Sequence, residues 1–326
     1  MKDTVLIVTD ENEPSANLVI EHLNKIGQNF FRLNVSSFFK LQSKLTLGLD
    51  SGFKGDMRFC DGSRINLESI KSIWFRRPKP IIVDGDFSSL ENKFIDDEIS
   101  SSLWSMYTCF DSVYWMNHPL YARYLLEHNK LFQLKLAEES GLFVPDTIVT
   151  NNPDDLIDFC ERHDGFVAVK AVRSRIFQES PANTQGIYTN RITLGYLKEH
   201  KEDISISPLM AQEYVPKKLE FRVTIVGNHI LSCAIHSQDS ERTKEDWRRY
   251  DFANVKHEAY ELPDNVKKSL LDFMSKCKMN FGAIDFILTP DGKYVFLEIN
   301  PSGQYIWIEN LTGLPISRTI AEVLSL

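Results

Sequence analysis

The stretch FLEINPSG sets Glu298 and Asn300 two residues apart in an otherwise apolar run, directly before a Pro–Ser–Gly turn. Side chains alternate along a strand, so both oxygen-bearing groups project from one face. Upstream, FGAIDFIL carries Asp285 in a second apolar run, and the intervening TPDGK reads as a hairpin turn. If the loop has an even number of residues, such as Pro290 to Lys293 closed by Thr289 and Tyr294, Asp285 stands opposite Glu298 and Asn300 opposite Ala283. A three-residue bulged loop would instead send Asp285 and Glu298 to opposite faces. Two carboxylates about 5 Å apart raise each other's pKa unless a cation lies between them. With the amide oxygen of Asn300 they make a hard ligand set suited to Mg²⁺, whose shell is completed by water and phosphate oxygens.

Cationic residues appear where they need anions. Lys170 stands inside FVAVKAV, where an unpaired ammonium would be costly to bury, and Lys130 lies on the helical HNKLFQLKLAEE. The segment QEYVPKKLEFRV runs from Gln212 through Glu213, Tyr214 and Val215, turns at Pro216, and then sets Glu220 and Arg222 on one face of a strand. A nucleotide fits this set. The lysines would meet phosphates, the Glu213 to Val215 edge would offer backbone groups to adenine, and Glu220 would accept from ribose hydroxyls. A third group of cations, Arg76, Arg77 and Lys79, closes the apolar strand IKSIWFRRPKP.

These residues must be positioned by an α/β chain. TVLIVT reads as a buried strand, 14–25 as a helix, and NFFRLNV as a second strand, which opens an α/β layer with parallel strands. The turn after the first strand is DENEPS, whose carboxylates would repel a pyrophosphate, so a dinucleotide-binding opening is rejected. Paired strands follow around Asp61–Gly62, then helices over 88–110 and 120–140, four strands between 166 and 237, a helix over 264–279, and the carboxylate hairpin. A domain boundary is expected near residue 118.

Bulk properties narrow the class. With 326 residues, 43% hydrophobic and 25% charged, the composition is that of a globular protein of two or three domains. The net charge of −8 argues against nucleic acid as the main partner. Five scattered cysteines without a CxxC suggest neither a disulfide framework nor a zinc cluster. No signal peptide or membrane span is recognisable, which makes the cytoplasm the expected compartment.

In order along the chain, Lys130, Lys170, QEYV, EFR, Asp285 and LEIN thirteen residues after that aspartate resemble the ATP-grasp ligases over roughly 118–326. The N-terminal third with IWFRRP resembles the pre-ATP-grasp domain of the microviridin-type ligases, the graspetide synthetases, and NPSGQYIWIENLTGLPI is similar to their C-terminal signature. The resemblance implies a pre-ATP-grasp domain over 1–117, forming part of a peptide site, then central and C-terminal ATP-grasp lobes over 118–205 and 206–326.

The resemblance also implies a chemistry. A carboxylate becomes electrophilic once ATP has phosphorylated it, and a nucleophile then displaces phosphate. Asp285, Glu298 and Asn300 would hold Mg²⁺, and Lys130 and Lys170 would take the α- and β-phosphates. Arg222 would meet the transferred phosphoryl group, with Arg248 of EDWRRYD as a second choice. In this family the substrate is a ribosomal precursor peptide, a leader plus an acidic core. An Asp or Glu of the core is joined to a Ser or Thr hydroxyl or a Lys amine, giving a macrocyclic ester or amide. Arg76, Arg77, Arg173 and Arg175 would receive such a core, as would Arg248 and Arg249, while His236 or Asp246 would serve as base. A homodimer is expected from the resemblance. The alternatives are an ATP-grasp ligase adding a free amino acid to a protein or small acid, and a non-catalytic nucleotide-binding protein.

Overall fold

A computed structural model describes residues 3–38, 43–81, 85–110, 113–173, 176–180, 183–186 and 188–326. Its N-terminal unit begins with β1 (Thr4–Thr9), α1 (Pro14–Lys25), β2 (Phe30–Asn34) and the short α2 (Val35–Phe38). Next come β3 (Lys44–Leu49), β4 (Phe53–Arg58), β5 (Arg64–Asn66), β6 (Ile70–Phe75), α3 (Ser89–Cys109) and β7 (Tyr114–Met116). Strands β2, β1, β6 and β7 form a parallel sheet in that order. Its centre is Val5 to Val8, which are fully buried, as an inner strand covered on both faces must be. Helix α3 starts at a capping box in which Ser88 and Glu91 satisfy each other's backbone N–H groups.

The chain continues through a π-helix (Leu120–Leu126), α4 (Lys130–Glu138), β8 (Thr147–Thr150), α5 (Pro153–Arg162) and β9 (Phe166–Lys170). The single helix expected over 120–140 is therefore two pieces. Asn129 caps α4 by accepting from the Phe132 N–H, and a side-chain cap of that kind starts a new helix. After it come the hairpin β10 (Ile176–Ser180) and β11 (Asn183–Gly186), β12 (Asn190–Thr193), α6 (Leu194–Glu199), α7 (Lys201–Ile204) and β13 (Leu209–Glu213). Strands β12, β9, β13 and β8 make an antiparallel sheet packed on α5 through Leu156, Phe159 and Cys160.

The last sheet, in the order β16-β15-β14-β17-β18, comprises β14 (Leu219–Val226), β15 (His229–Ile235), β16 (His257–Ala259), β17 (Phe281–Leu288) and β18 (Tyr294–Asn300). Helix α8 (Asp264–Cys277) lies between β16 and β17, and α9 (Ile306–Thr312) and α10 (Ile316–Leu324) follow β18. Phe221, Val223, Ile284, Phe286 and Phe296 bury one face of this sheet against Leu270 and Phe273 of α8. The other face, carrying Glu220, Arg222, Asp285 and Glu298, is left for the site. Among the described residues no helix is long and apolar enough to cross a membrane.

The hairpin joining β17 and β18 departs from the expected even loop. Leu288 pairs with Tyr294, the Thr289 N–H donates to the Lys293 carbonyl at 2.9 Å, and Gly292 takes the left-handed conformation at φ 86°. That is the three-residue form, which alone would separate Asp285 from Glu298. A bulge at Leu297 restores them: Phe286 pairs with Phe296, yet Asp285 pairs with Glu298 and Ala283 with Asn300. The extra residue reverses the parity, so Leu297 and Glu298 both face the site while Phe296 and Ile299 both face the core.

Candidate functional site

Three neighbouring strands present a row of charge. Arg222 on β14 is in register with Asp285 on β17, and Asp285 with Glu298 on β18. The next row is Thr224, Ala283 and Asn300. Arg222 donates through Nη1 to Asp285 Oδ1 at 2.9 Å. Glu298 accepts Lys130 at 3.2 Å from α4 and lies 3.4 Å from Arg248, which comes from the loop between β15 and β16. Lys130 is buried at the N-terminus of α4. Its ammonium also donates to the Ala171 carbonyl at 3.3 Å, just past Lys170.

The two acids are driven apart electrostatically. Burial raises the Glu298 carboxyl, but Lys130, Arg248 and Lys170 outweigh that and hold it below the usual range. Burial also raises Asp285, and Glu298 beside it adds to the effect, so Arg222 and the more distant Arg248 do not restore it. Lys170 is pushed down to about 8 by burial against the opposing pull of Glu298. A divalent cation between the carboxylates would relieve their repulsion, and two carboxylates with an amide oxygen are the hard donors Mg²⁺ takes. The Asn300 Oδ1 is shared with its own turn, accepting the Ser302 N–H at 3.1 Å. Among the described residues no three His, Cys, Asp or Glu side chains form a metal cluster, so the fit rests on this mixed set.

The charged row separates two cavities. One of about 650 Å³ is walled by Lys170, Gln212 to Val215, Lys217, Glu220, Asp246, Ile287 and Leu297. Glu220 Oε1 takes Lys217 at 3.0 Å, whereas among the described residues its buried Oε2 makes no hydrogen bond within 3.5 Å, and neither does Arg222 Nε. An unpartnered buried acceptor suits a ligand hydroxyl. Burial raises Glu220 despite Lys217. Lys217 is a site residue that the sequence reading missed; its signal was a lysine three residues before Glu220 in the same turn.

The second cavity, about 1370 Å³, opens on the far side of the row toward the N-terminal unit, and Arg77, Arg123, Tyr250 and Trp307 contribute to its wall. Arg248 borders both cavities and is locked by Asp246, which receives its Nη2 at 2.6 Å and its Nε at 2.8 Å. Burial would raise Asp246, but these bonds and the Thr189 N–H hold it below the usual range.

Several expected residues stand elsewhere. Arg76 is only 1% exposed, so its assignment to a peptide is corrected. Its fork reaches the Ser302 and Gly303 carbonyls at 3.1 and 3.0 Å, its Nε donates to Ser15 at 2.9 Å, and Trp74, Phe281 and Tyr305 surround it. A buried arginine persists when its donors are filled in this way. It thus anchors the turn after Asn300 to β6. Gly303 belongs to the same turn, where an added Cβ would lie 2.8 Å from Arg222 Nη2. His236 pairs with Glu258 at 2.8 Å and borders neither cavity, which removes it as a base. Arg173 is exposed and off both walls, Arg249 donates to Asn190 at 3.1 Å, and Arg175 lies outside the described residues.

Comparison with known proteins places this arrangement. Residues 4–119 match the model of the MvdD pre-ATP grasp domain. The structure of macrocyclase MdnB from Microcystis aeruginosa MRC is 30% identical, with 99% of each chain covered and a TM-score of 0.76. The chain belongs to the ATP-grasp peptide macrocyclases, the graspetide synthetases. Macrocyclase MdnC of the same organism, bound with precursor peptide MdnA, is 29% identical over 98% of this chain and 99% of that one, with a TM-score of 0.81. A RiPP-associated ATP-grasp ligase from Chryseobacterium gregarium, in complex with ADP and a leader and core peptide, is 29% identical over 99% and 96% of the two chains, with a TM-score of 0.87. A search of curated proteins found no match. The α/β architecture expected for an ATP-grasp macrocyclase is the one observed, with the N-terminal parallel sheet preceding the ATP-grasp lobes.

Proposed function

We propose that this chain uses ATP to activate an Asp or Glu side chain of a ribosomal precursor peptide and condenses it with a Ser or Thr hydroxyl or a Lys amine of the same peptide. The observation carrying this reading is the Arg222–Asp285–Glu298 row standing between two cavities of different character. The smaller cavity suits ATP. The backbone of Gln212 to Val215 would take the base, the orphaned Glu220 oxygen a ribose hydroxyl, and Lys130 and Lys170 the phosphates. Asp285, Glu298 and Asn300 would hold Mg²⁺, whose charge, when bound, offsets that of the phosphate oxygens.

The larger cavity suits the peptide, with Arg77 on its wall. A carboxylate oxygen of the peptide attacks the γ-phosphorus there, ADP leaves, and an acylphosphate forms. The hydroxyl or amine then attacks the acyl carbon, phosphate departs with the bonding pair, and the peptide has lost one water overall. Arg222 and Arg248 face the charge that builds on phosphoryl and acyl oxygens. Asp246, on the ATP side of the row with both oxygens filled by Arg248 and the Thr189 N–H, is proposed to fix Arg248 in place rather than to take the nucleophile's proton. A cavity of about 1370 Å³ open to the N-terminal unit supports a peptide over a small acid enclosed in a compact pocket.

We retain 1–117, 118–205 and 206–326 as the proposed domains, the cytoplasm as the place where ATP and a new peptide meet, and a homodimer as the proposed assembly.

The test is intact mass spectrometry of an acidic peptide containing Thr, Ser and Lys, encoded beside the gene and incubated with protein, ATP and Mg²⁺. ATP-dependent loss of one or more waters is expected, and hydroxide then separates esters from amides. A mass gain equal to an amino acid would move the assignment to the amino-acid ligases.

A further inference from the structure

Two cavities meet at one wall. Phe75, Pro78, Lys79, Pro80 and Arg123 border the large cavity beside Asp285 and also a groove of about 1400 Å³ that runs past Trp104, Tyr107 and Tyr124. The cations of this region differ in one respect. Arg222 is occupied by Asp285 at 2.9 Å, Arg248 by Asp246 at 2.6 Å, and Lys79 by Asp10 at 2.9 Å. Arg77 and Arg123 form no ion pair among the described residues.

The backbone around each is unusual. Arg123 and Glu127 are four residues apart, a spacing that would stack them into an ion pair on an α-helix. Here the Glu127 N–H donates five residues back, to the Ala122 carbonyl at 2.9 Å, and although both residues line the large cavity no ion pair joins them among the described residues. Arg77 follows the buried Arg76 and precedes Pro78, and its φ of 49° lies in the left-handed region, which is disfavoured for a residue with a Cβ and more so before proline. That conformation separates the paths of the two arginines, one into the core and the other to the cavity wall. In a chain of net charge −8, two arginines that make no ion pair among the described residues, on a wall they share with Glu127, are a local feature and no part of a general positive field.

We propose that Arg77 and Arg123 form an outer anion subsite that binds a second, non-reacting carboxylate of the peptide while Arg222 and Arg248 serve the reacting one. A guanidinium fork takes a carboxylate through two parallel hydrogen bonds, and among the described residues neither of these two forks is engaged by an acid. The subsite rests on the peptide-ligase reading above. It makes the enzyme selective for a core whose acids come in pairs, and it places the second acid on the side of the N-terminal unit.

The test compares a peptide whose single Glu and single Thr are condensed by the full-length protein with versions carrying one added Glu at successive neighbouring positions. ADP release and product mass give kcat/KM for each. At one spacing the added Glu is expected to raise kcat/KM about tenfold, chiefly through KM, the scale of a charge-assisted hydrogen bond. Arg123→Ala should bring the ratio between the two peptides close to one, and Arg123→Lys should restore part of it. A ratio that survives Arg123→Ala and Arg77→Ala, or no preference at any spacing in the unaltered protein, would overturn the subsite. If the unaltered protein removes water from none of the peptides, the peptide-ligase reading falls, and the subsite with it. That outcome is distinguishable because it needs no variant.

Discussion

Three separate elements converge on Glu298. It is held by Lys130 from α4 and Arg248 from the 236–256 loop, and it stands across from Asp285. Replacing it by Gln keeps the shape and removes the charge. Glu298→Gln should lower ATP-dependent ADP formation by about two orders of magnitude while far-UV circular dichroism stays native; normal turnover would sink the metal and phosphate assignment. Lys170 makes a prediction in pH. Its folded-state pKa lies near 8, below the ordinary 10.5, so between these values the unfolded chain binds a proton that the free protein lacks. The lysine therefore makes the free protein more stable as pH rises through that window. Phosphates favour the ammonium, so ADP affinity should fall above pH 8 and binding should take up a proton. Calorimetry in buffers of different ionisation enthalpy measures that uptake, and Lys170→Arg should abolish it. At this scale the residue types were legible in the sequence because an ionisable group inside an apolar run needs a partner. The partners of Arg76 and His236 were not, because burial by a distant turn or pairing with an adjacent strand leaves no local trace.

At the scale of elements, the carboxylate hairpin shows how a correct pairing can arise by an unexpected route. The sequence makes both strands evident, and the pairing of Asp285 with Glu298 followed from an even loop. The loop is odd, and Leu297 restores the register by bulging. Nothing in VFLEIN marks Leu297 for this; the bulge is specified by tertiary partners. The Ile299 N–H finds Gln133 Oε1 of α4 at 3.0 Å, and the Phe296 N–H finds the Phe143 carbonyl at 2.8 Å. The link between β6 and the turn after Asn300 yields a test that separates neighbouring arginines. Arg76→Met leaves Glu13 and two carbonyls short of a donor and should cost about 3 kcal/mol of stability in denaturant melts. Arg77→Ala should change stability by less than about 0.5 kcal/mol and raise the peptide KM. An Arg76 variant with unaltered stability and a raised peptide KM would return Arg76 to the peptide.

At the scale of the molecule, the α/β opening and the later strands could be anticipated from periodicity and turn residues. What periodicity does not report is which layers share a core. Val5, Ile7 and Trp74 of the first sheet pack in one cluster with Val226, Phe281, Ile308, Ile316 and Ile320 from the last part of the chain. Ser72 Oγ donates to the Leu324 carbonyl at 2.7 Å, and Asn117 Nδ2 donates to the carbonyls of Phe281 and Pro301 at 2.8 and 3.0 Å. Removing residues 315–326 should therefore unfold the N-terminal sheet along with the tail. Limited proteolysis would show cleavage within residues 1–80, and protection there would mean the first sheet stands alone.

This shared core has a consequence during synthesis. A ribosome releases the N-terminal strands long before α10 exists, so the face of the first sheet that α10 covers must wait, apolar and open, for some 240 residues of further chain. At about 5–20 residues per second that interval is of order ten seconds or more. Over that time the nascent chain offers chaperones a binding face that the finished enzyme no longer displays.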